Sequence, residues 1–198
     1  MYPSKDGLSD AARQEAQTCA EVLRAGGVIV YPTDTIWGLG CDATNAQAVE
    51  KIFQIKKRPG SKSLITLVKD LAQLDDYVET LPENLKEILQ ATSRPQTIIY
   101  PDSKNLAPNV MATDGSAGIR IVADTFCKEI INIFQKPIVS TSANIAGEPF
   151  SGNFGDIPAA IIRQADYVVR YRQKQKVHGA ASRVIRIRPD KKIDILRE

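Results

Sequence analysis

Four short stretches carry side chains suited to gathering anions and hydrogen-bonding a small polar ligand. Thr33-Asp34-Thr35 sets three hydrogen-bonding side chains in a row between Pro32 and the Gly38/Gly40 pair. Lys56-Lys57-Arg58, with Lys62 close behind, crowds cations beside Pro59-Gly60. Arg120 stands between two isoleucines, and in Ser140-Thr141-Ser142-Ala143-Asn144 four of five side chains carry a hydroxyl or an amide. Each stretch also has a plainer reading. Asp and Thr in loops bond their own backbone, and cations in the last turn of a helix answer its dipole. An arginine in a strand is either an edge residue facing water or one held inward against an anion, and Ser, Thr and Asn cap turns routinely. Repetition favours chemistry: two polar runs, each following a short apolar strand, suggest a cleft lined from both sides.

The elements that must position these residues follow from periodicity and punctuation. Residues 28–31 form an apolar, β-branched run bounded by Gly and Pro, a buried strand that breaks into the first polar run. Before it, Ser9 is a plausible N-cap and Ala12, Ala16, Ala20 and Leu23 recur at helical spacing until Gly26-Gly27. Thr44 or Asn45 caps a second helix with an apolar stripe of Val49, Ile52 and Phe53, which puts Lys56, Lys57 and Arg58 in its last turn. Further strands are expected at 64–68, 96–100, 118–122, 166–171, 182–187 and 193–197, and short helices at 70–78, 82–92 and 158–164. Asp124 caps a helix over 126–134 that Lys136-Pro137 ends, and Ile138-Val139 then leads into the second polar run, read as a loop. Residues 102–115 and 147–155 read as loops, and 178–182 as a small-residue approach that lets backbone come near a ligand.

With 198 residues, 43% hydrophobic and 25% charged, the composition is that of an ordinary globular protein, and no repeat or linker divides it. Strands and helices intermix, so one α/β domain over 1–198 is expected. No apolar run reaches the roughly 20 residues needed to span a bilayer, and the N-terminal stretch lacks a leader pattern, which points to the cytoplasm. Cys19, Cys41 and Cys127 are odd in number and widely spaced, hence free thiols; with His178 the only histidine, a protein-ligated transition metal is not expected. The net charge of +3 is uneven: residues 170–198 hold ten Lys/Arg against three acidic residues, a local +7, leaving −4 elsewhere. That segment is either a surface for phosphate or RNA or a solvated edge whose charge blocks aggregation. Gly60-Ser61-Lys62-Ser63 has the look of a P-loop fragment but lacks the upstream glycine and a preceding strand, and there is no Gly-x-Gly-x-x-Gly.

Taken together, Tyr31-Pro32-Thr33-Asp34-Thr35 with Gly38-Leu39-Gly40, Lys56-x-Arg58, Gly118-x-Arg120, Ser140 to Asn144 followed by Ile145-x-Gly147, and a late Ser182 and Arg197 come in a distinctive order. The chain resembles the YrdC-like threonylcarbamoyl-AMP synthase family from about residue 26 to 197. That resemblance implies a single α/β (α+β mixed) domain, a twisted open mixed sheet flanked by helices with a concave basic cleft, and no additional C-terminal domain. It implies synthesis of threonylcarbamoyl-AMP and pyrophosphate from L-threonine, bicarbonate and ATP with Mg²⁺ held mainly by the ATP phosphates. This is the first step of threonylcarbamoyladenosine formation at tRNA position 37, and a downstream transferase complex consumes the product. tRNA or double-stranded RNA contact through the basic cleft and C-terminal segment is a further implied partner.

By the same resemblance, Lys56, Arg58, Ser142 and Asn144 form the catalytic tetrad. Thr35, Arg120, Ser142 and Ser182 match positions that hold threonine, and Arg58, Lys62, Ser116, Asn144, Ser151 and Arg197 match positions near ATP. The chain departs from the family pattern at Arg94 and Gln96 in Ser93-Arg94-Pro95-Gln96-Thr97, at Arg183 after Ser182, at Ser63 after Lys62, and at Leu67, where some members carry histidine. Two alternatives remain at this level: a non-catalytic RNA- or nucleotide-binding relative, and an ATP-dependent enzyme of the same fold acting on another small acid.

Overall fold

Helix α1 (Asp10–Arg24) begins where Ser9 Oγ accepts the Ala12 amide at 3.3 Å, and its Ala12, Ala16, Cys19, Ala20 and Leu23 make a buried face of mostly small side chains. Small residues allow close approach, and α1 packs on α5 (Thr125–Phe134), which Asp124 caps and which buries Phe126, Ile130, Ile131 and Phe134. The chain leaves α1 through Gly26 in the left-handed region, φ 74°, as the double glycine predicts. These features belong to a computed structural model describing residues 7–57, 64–176, 181–188, 190 and 192–198. None of its helices is long and apolar enough to cross a membrane.

Among the described residues, nine strands form one mixed, open sheet. They are β1 (Ile29–Tyr31), β2 (Gly38–Gly40), β3 (Ile65–Val68), β4 (Gln96–Tyr100), β5 (Ala117–Ile121), β6 (Ile138–Ser142), β7 (Tyr167–Val168), β8 (Arg183–Ile187) and β9 (Ile193–Arg197). Their spatial order is β7-β1-β2-β6-β3-β5-β4-β8-β9. The pairs β1/β7, β3/β5 and β4/β8 are parallel and the others antiparallel. The remaining helices are α2 (Ala46–Lys56), α3 (Leu71–Asp75), α4 (Leu85–Gln90) and α6 (Ala159–Gln164). Asn45, and not Thr44, caps α2, its Oδ1 accepting the Gln47 and Ala48 amides. Thr44 instead donates to Asp42.

The sheet corrects the sequence reading at both polar runs. Gly38-Leu39-Gly40, where no strand is expected, is β2, between β1 and β6. A Cβ on Gly40 would lie 2.7 Å from Tyr31 Cε1 and 2.9 Å from the Val139 carbonyl oxygen. Glycine is there because neighbouring chains come too close for a side chain, a reason that composition does not reveal. Gly40→Ala is therefore expected to lower stability by about 1–3 kcal/mol, read as a reduced urea midpoint with an unchanged slope. Ser140, Thr141 and Ser142 likewise stay in β6, with Ser140 opposite Ile65 and Ser142 opposite Gly38.

Three elements are shorter than the periodicity suggests. Helix α3 stops at Asp75 because Val78 forms a bridge to Ser103, and α4 starts after a turn in which Leu85 N donates to Pro82 O. Strand β7 covers 167–168, and the chain turns at Arg172, φ 64°. Helix α5 ends at Gln135, φ 66°, one residue before Lys136-Pro137. The three cysteines are free and buried, and burial, the leading cause in each case, raises their thiol pKa values.

Candidate functional site

Alternation along the strands brings the polar residues to one face. Ile65 lies beside both Ser140 and Gly118, so Ser142 and Arg120, two residues further along their strands, share that face. Gly118 pairs with Ile99 on β4, and Thr97 pairs with Val184 on β8, which extends the face to the stretch holding Ser182. A concave pocket of about 340 Å³ opens there, and its lining includes Thr35, Arg120, Ser140, Ser142, Ser182 and Arg197. Ile36, Ile65 and Val184 supply its apolar walls. A larger surface groove of about 480 Å³ beside Arg13, Lys69 and Lys128 lies away from these residues. Partly and fully exposed side chains line it, without the buried polar groups that mark the first pocket.

Arg120 is held inward. It is 3% exposed on an interior strand, its Nη2 lies 3.2 Å from Asp34 Oδ1, and its Nη1 donates to Thr35 Oγ1 at 3.4 Å. Its buried Nε has no partner among the described residues, so the guanidinium keeps unused donor capacity beside the pocket. The loop after β1 divides its labour. Thr33 Oγ1 accepts the Thr35 and Ile36 amides at 3.1 and 3.2 Å and donates to Ile36 O at 2.7 Å, closing the turn. Thr35 Oγ1 shares a 2.9 Å hydrogen bond with Thr33 Oγ1 and accepts from Arg120.

Arg197 and Ser182 build the opposite wall. From the partly open rim, Arg197 donates through Nε and Nη2 to the Ser182 carbonyl at 3.0 and 2.8 Å. Ser182 Oγ shares a hydrogen bond of 2.8 Å with Thr97 Oγ1. Partial burial, and secondarily the nearby Arg120 charge, lower the Arg197 guanidinium from its usual value. Two like charges face one volume, an arrangement suited to an anion.

Below the end of β6, Lys56 is fully buried at 1% exposure. Its ammonium donates to the carbonyls of Ser142 and of Asn144, the latter at 2.7 Å, and to Asn144 Oδ1 at 3.2 Å. Ser142 Oγ donates to Asn144 Oδ1, Asn144 Nδ2 donates to Glu148 O at 2.6 Å, and Ala146 N donates to Lys56 O at 2.9 Å. Lys56 thus fastens the Ser142–Asn144 corner to the end of α2, whereas Lys57 is the exposed, left-handed cap, φ 49°.

The remaining sequence-based candidates are more scattered. Ser116 is buried just before β5 and bonds Asp114 through both Oγ (2.6 Å) and N (3.0 Å), contacts that hold the Asp114 carboxyl below its usual range. Ser151 lies on an exposed loop, paired with Asp156 and Asn153. Neither lines the pocket. The Ser151 loop nevertheless lies against it: Gly152 O accepts Trp37 N at 2.9 Å, and a Cβ on Gly152, φ 92°, would sit 2.5 Å from Ile36 Cγ2. Arg58, Lys62 and the 178–180 approach fall outside the described residues.

Ser140 and Thr141, singled out with the second polar run, line the pocket, whereas Thr97, which supports Ser182 from β4, is not singled out by the sequence. Strand alternation is the signal that finds Thr97, once β4 and β8 are known to be neighbours. Two departures from the family pattern meet: Gln96 and Arg183 are register partners, and Arg183 Nη1 donates to Gln96 Oε1 at 3.3 Å. Leu67, another of the departures, is fully buried. No group of three or more His, Cys, Asp or Glu that could hold a metal ion occurs among the described residues.

A family model described as Sua5/YciO/YrdC, telomere recombination, matches residues 21–198. A threonylcarbamoyl-AMP synthase of Stenotrophomonas maltophilia is 36% identical over 150 residues, which is 74% of this chain and 81% of that protein. Among solved structures, E. coli YciO superposes with a TM-score of 0.80 at 23% identity, covering 94% of this chain and 89% of that one. P. abyssi Sua5 complexed with L-threonine gives 0.73 at 24% identity, over 88% of this chain; the chain spans about half, 51%, of that longer protein. At such identities the structural likenesses establish the fold alone.

Proposed function

The chain belongs to the Sua5/YciO/YrdC family, and on that footing we propose that it is an L-threonylcarbamoyl-AMP synthase. In this reading it joins L-threonine, bicarbonate and ATP, releases pyrophosphate, and thereby begins threonylcarbamoyladenosine formation on tRNA. The observation that carries it is the pocket in which the Arg120 and Arg197 guanidiniums converge with the hydroxyls of Thr35, Ser140, Ser142 and Ser182. The relatives named threonylcarbamoyl-AMP synthase supply the chemistry to test there.

The amino group of threonine forms a bond to the bicarbonate carbon with loss of water, giving a carbamate. A carbamate oxygen then bonds to the α-phosphorus of ATP as the bond to the pyrophosphate oxygen breaks. Arg120 takes the threonine carboxylate at the pocket floor, beside Thr35, Ser142 and Ser182. Arg197 offsets nucleotide charge at the rim, Arg58 and Lys62 are assigned to the nucleotide by the family resemblance, and Ser116, Asn144 and Ser151 complete the nucleotide contacts. Lys56 keeps Ser142 and Asn144 in place. Catalysis of this kind is mainly positioning and charge stabilisation.

Mg²⁺ fits the site as a companion of ATP. The pocket lining offers neutral hydroxyls and, among the described residues, no carboxylate, and the Asp34 carboxylate is engaged by Arg120, which would leave the phosphates as the metal's main ligands. When bound, it would supply positive charge that offsets the triphosphate's own. The single domain would hand its product to a transferase complex in the cytoplasm, with the basic 170–198 stretch as the surface for tRNA.

The test is ATP-to-AMP conversion with pyrophosphate release, omitting threonine and bicarbonate in turn, with serine as a control. Turnover is expected to need both substrates. Turnover indifferent to threonine would point to another small acid, and salt-steep RNA binding without turnover to a non-catalytic relative.

A further inference from the structure

Asp34 lies in the polar run after β1, yet the reaction outlined above gives it no task. Its side chain is 2% exposed and the Arg120 side chain 3% exposed, with Oδ1 and Nη2 3.2 Å apart. Its Oδ2 accepts the Ala123 amide at 3.3 Å, fastening the carboxylate to the segment between β5 and α5. The turn that Thr33 closes fixes the backbone on the other side of Asp34. A carboxylate anchored from two elements therefore stands directly against the arginine of the pocket floor.

A guanidinium buried to this degree needs a counterion, and one unpaired in such surroundings is costly. Alignment between the two groups is incomplete: Asp34 Oδ1 makes no hydrogen bond, and Arg120 Nε has no partner among the described residues. Asp34 thus balances the charge of Arg120 without using up its donors. A fully bidentate pair would hold the fork shut, and no pair at all would leave the side chain without a fixed orientation.

We propose that Asp34 is a positioning residue that aims Arg120 at the carboxylate of the substrate, acting through the arginine without touching the ligand. This rests on the assignment of the pocket to threonine. It yields a signature that a purely structural role lacks, because the effect is confined to ligands that present a carboxylate to Arg120. L-Threoninamide, which lacks the carboxylate but keeps the amine, hydroxyl and methyl groups, is the control ligand.

The experiment is calorimetric titration of the full chain with L-threonine and with L-threoninamide, for the wild type, Asp34→Asn, Arg120→Gln and the double variant. Asp34→Asn is expected to weaken threonine binding on the order of tenfold, as loss of a contact to a charged group does, and to leave threoninamide binding unchanged. In the Arg120→Gln background the second change is expected to add nothing, since groups acting through one another are non-additive. Equal weakening of both ligands, additive effects in the double variant, or tighter threonine binding by Asp34→Asn would each overturn the proposal.

Should Asp34→Asn fail to fold, the double variant, which buries neither charge, replaces it. Threonine binding much weaker than in Arg120→Gln alone then counts against Asp34 acting through the arginine. A urea-unfolding cycle over the four proteins reads the coupling without any ligand, and zero coupling there also overturns the proposal. A wild-type chain that binds no threonine but shows this coupling fails the substrate assignment instead.

Discussion

Arg120→Gln is expected to lower threonine-dependent turnover by about 10²-fold or more, the scale of removing one partner from a buried charged contact. ATP affinity should change little, because Arg120 lies on the pocket floor and the nucleotide is assigned to the rim. The change also strands Asp34, whose side chain is 2% exposed, so stability should fall by roughly 3–5 kcal/mol. Kinetics must therefore be compared well below the variant's unfolding temperature. A threonine KM equal to the wild-type value in the folded variant would remove Arg120 from the site.

Lys56→Met is expected to be the most damaging change outside the pocket itself. Methionine nearly fills the volume, but the Ser142 carbonyl, the Asn144 carbonyl and Asn144 Oδ1 lose their shared donor. Asn144 Oδ1 keeps the Ser142 hydroxyl and the Ser142 carbonyl keeps the Asn144 amide, so the cost is that of losing hydrogen bonds to a charged donor, about 3 kcal/mol in total, which for a chain of this size lowers Tm by roughly 6–12 °C. Turnover should fall at least 10²-fold, since displacement of about 1 Å at a reacting centre has effects of that order. Thermal unfolding and steady-state rates check the two halves separately. A destabilised variant with normal turnover would confine Lys56 to holding the fold.

Legibility in the sequence followed the range over which each signal acts. Caps and helix stripes are local, so Ser9, Asn45 and Asp124 and the buried faces of α1, α2 and α5 could be read from a few neighbouring residues. The family motif order made the fold class readable and brought Thr35, Arg120, Ser142, Ser182 and Arg197 forward, and the structure gathers all five around one pocket. What could not be read depends on sheet order. Gly38 and Gly40 look like loop residues until Thr141 is known to press on the first and Tyr31 and Val139 on the second. Arg120 stayed ambiguous because whether a strand is interior or edge is a property of its neighbours. The orienting partners Thr97 and Asp34 become visible only when β4 meets β8 and the loop after β1 meets β5.

The same sheet order governs how the molecule comes into being. Thr35 follows the first strand in the chain, Arg197 belongs to the ninth, and β6 and β5 supply the floor between them. No short contiguous fragment of the sequence therefore contains the pocket, whose lining runs from Thr33 to Arg197. Closing it requires ends far apart along the chain to meet, which places the protein among those whose folding is slowed by non-local pairing. Until β8 docks, β4 presents a bare edge able to recruit another chain. Recovery of activity during refolding should consequently lag behind recovery of helical signal, and a nascent chain would be inert until the β8–β9 hairpin is in place.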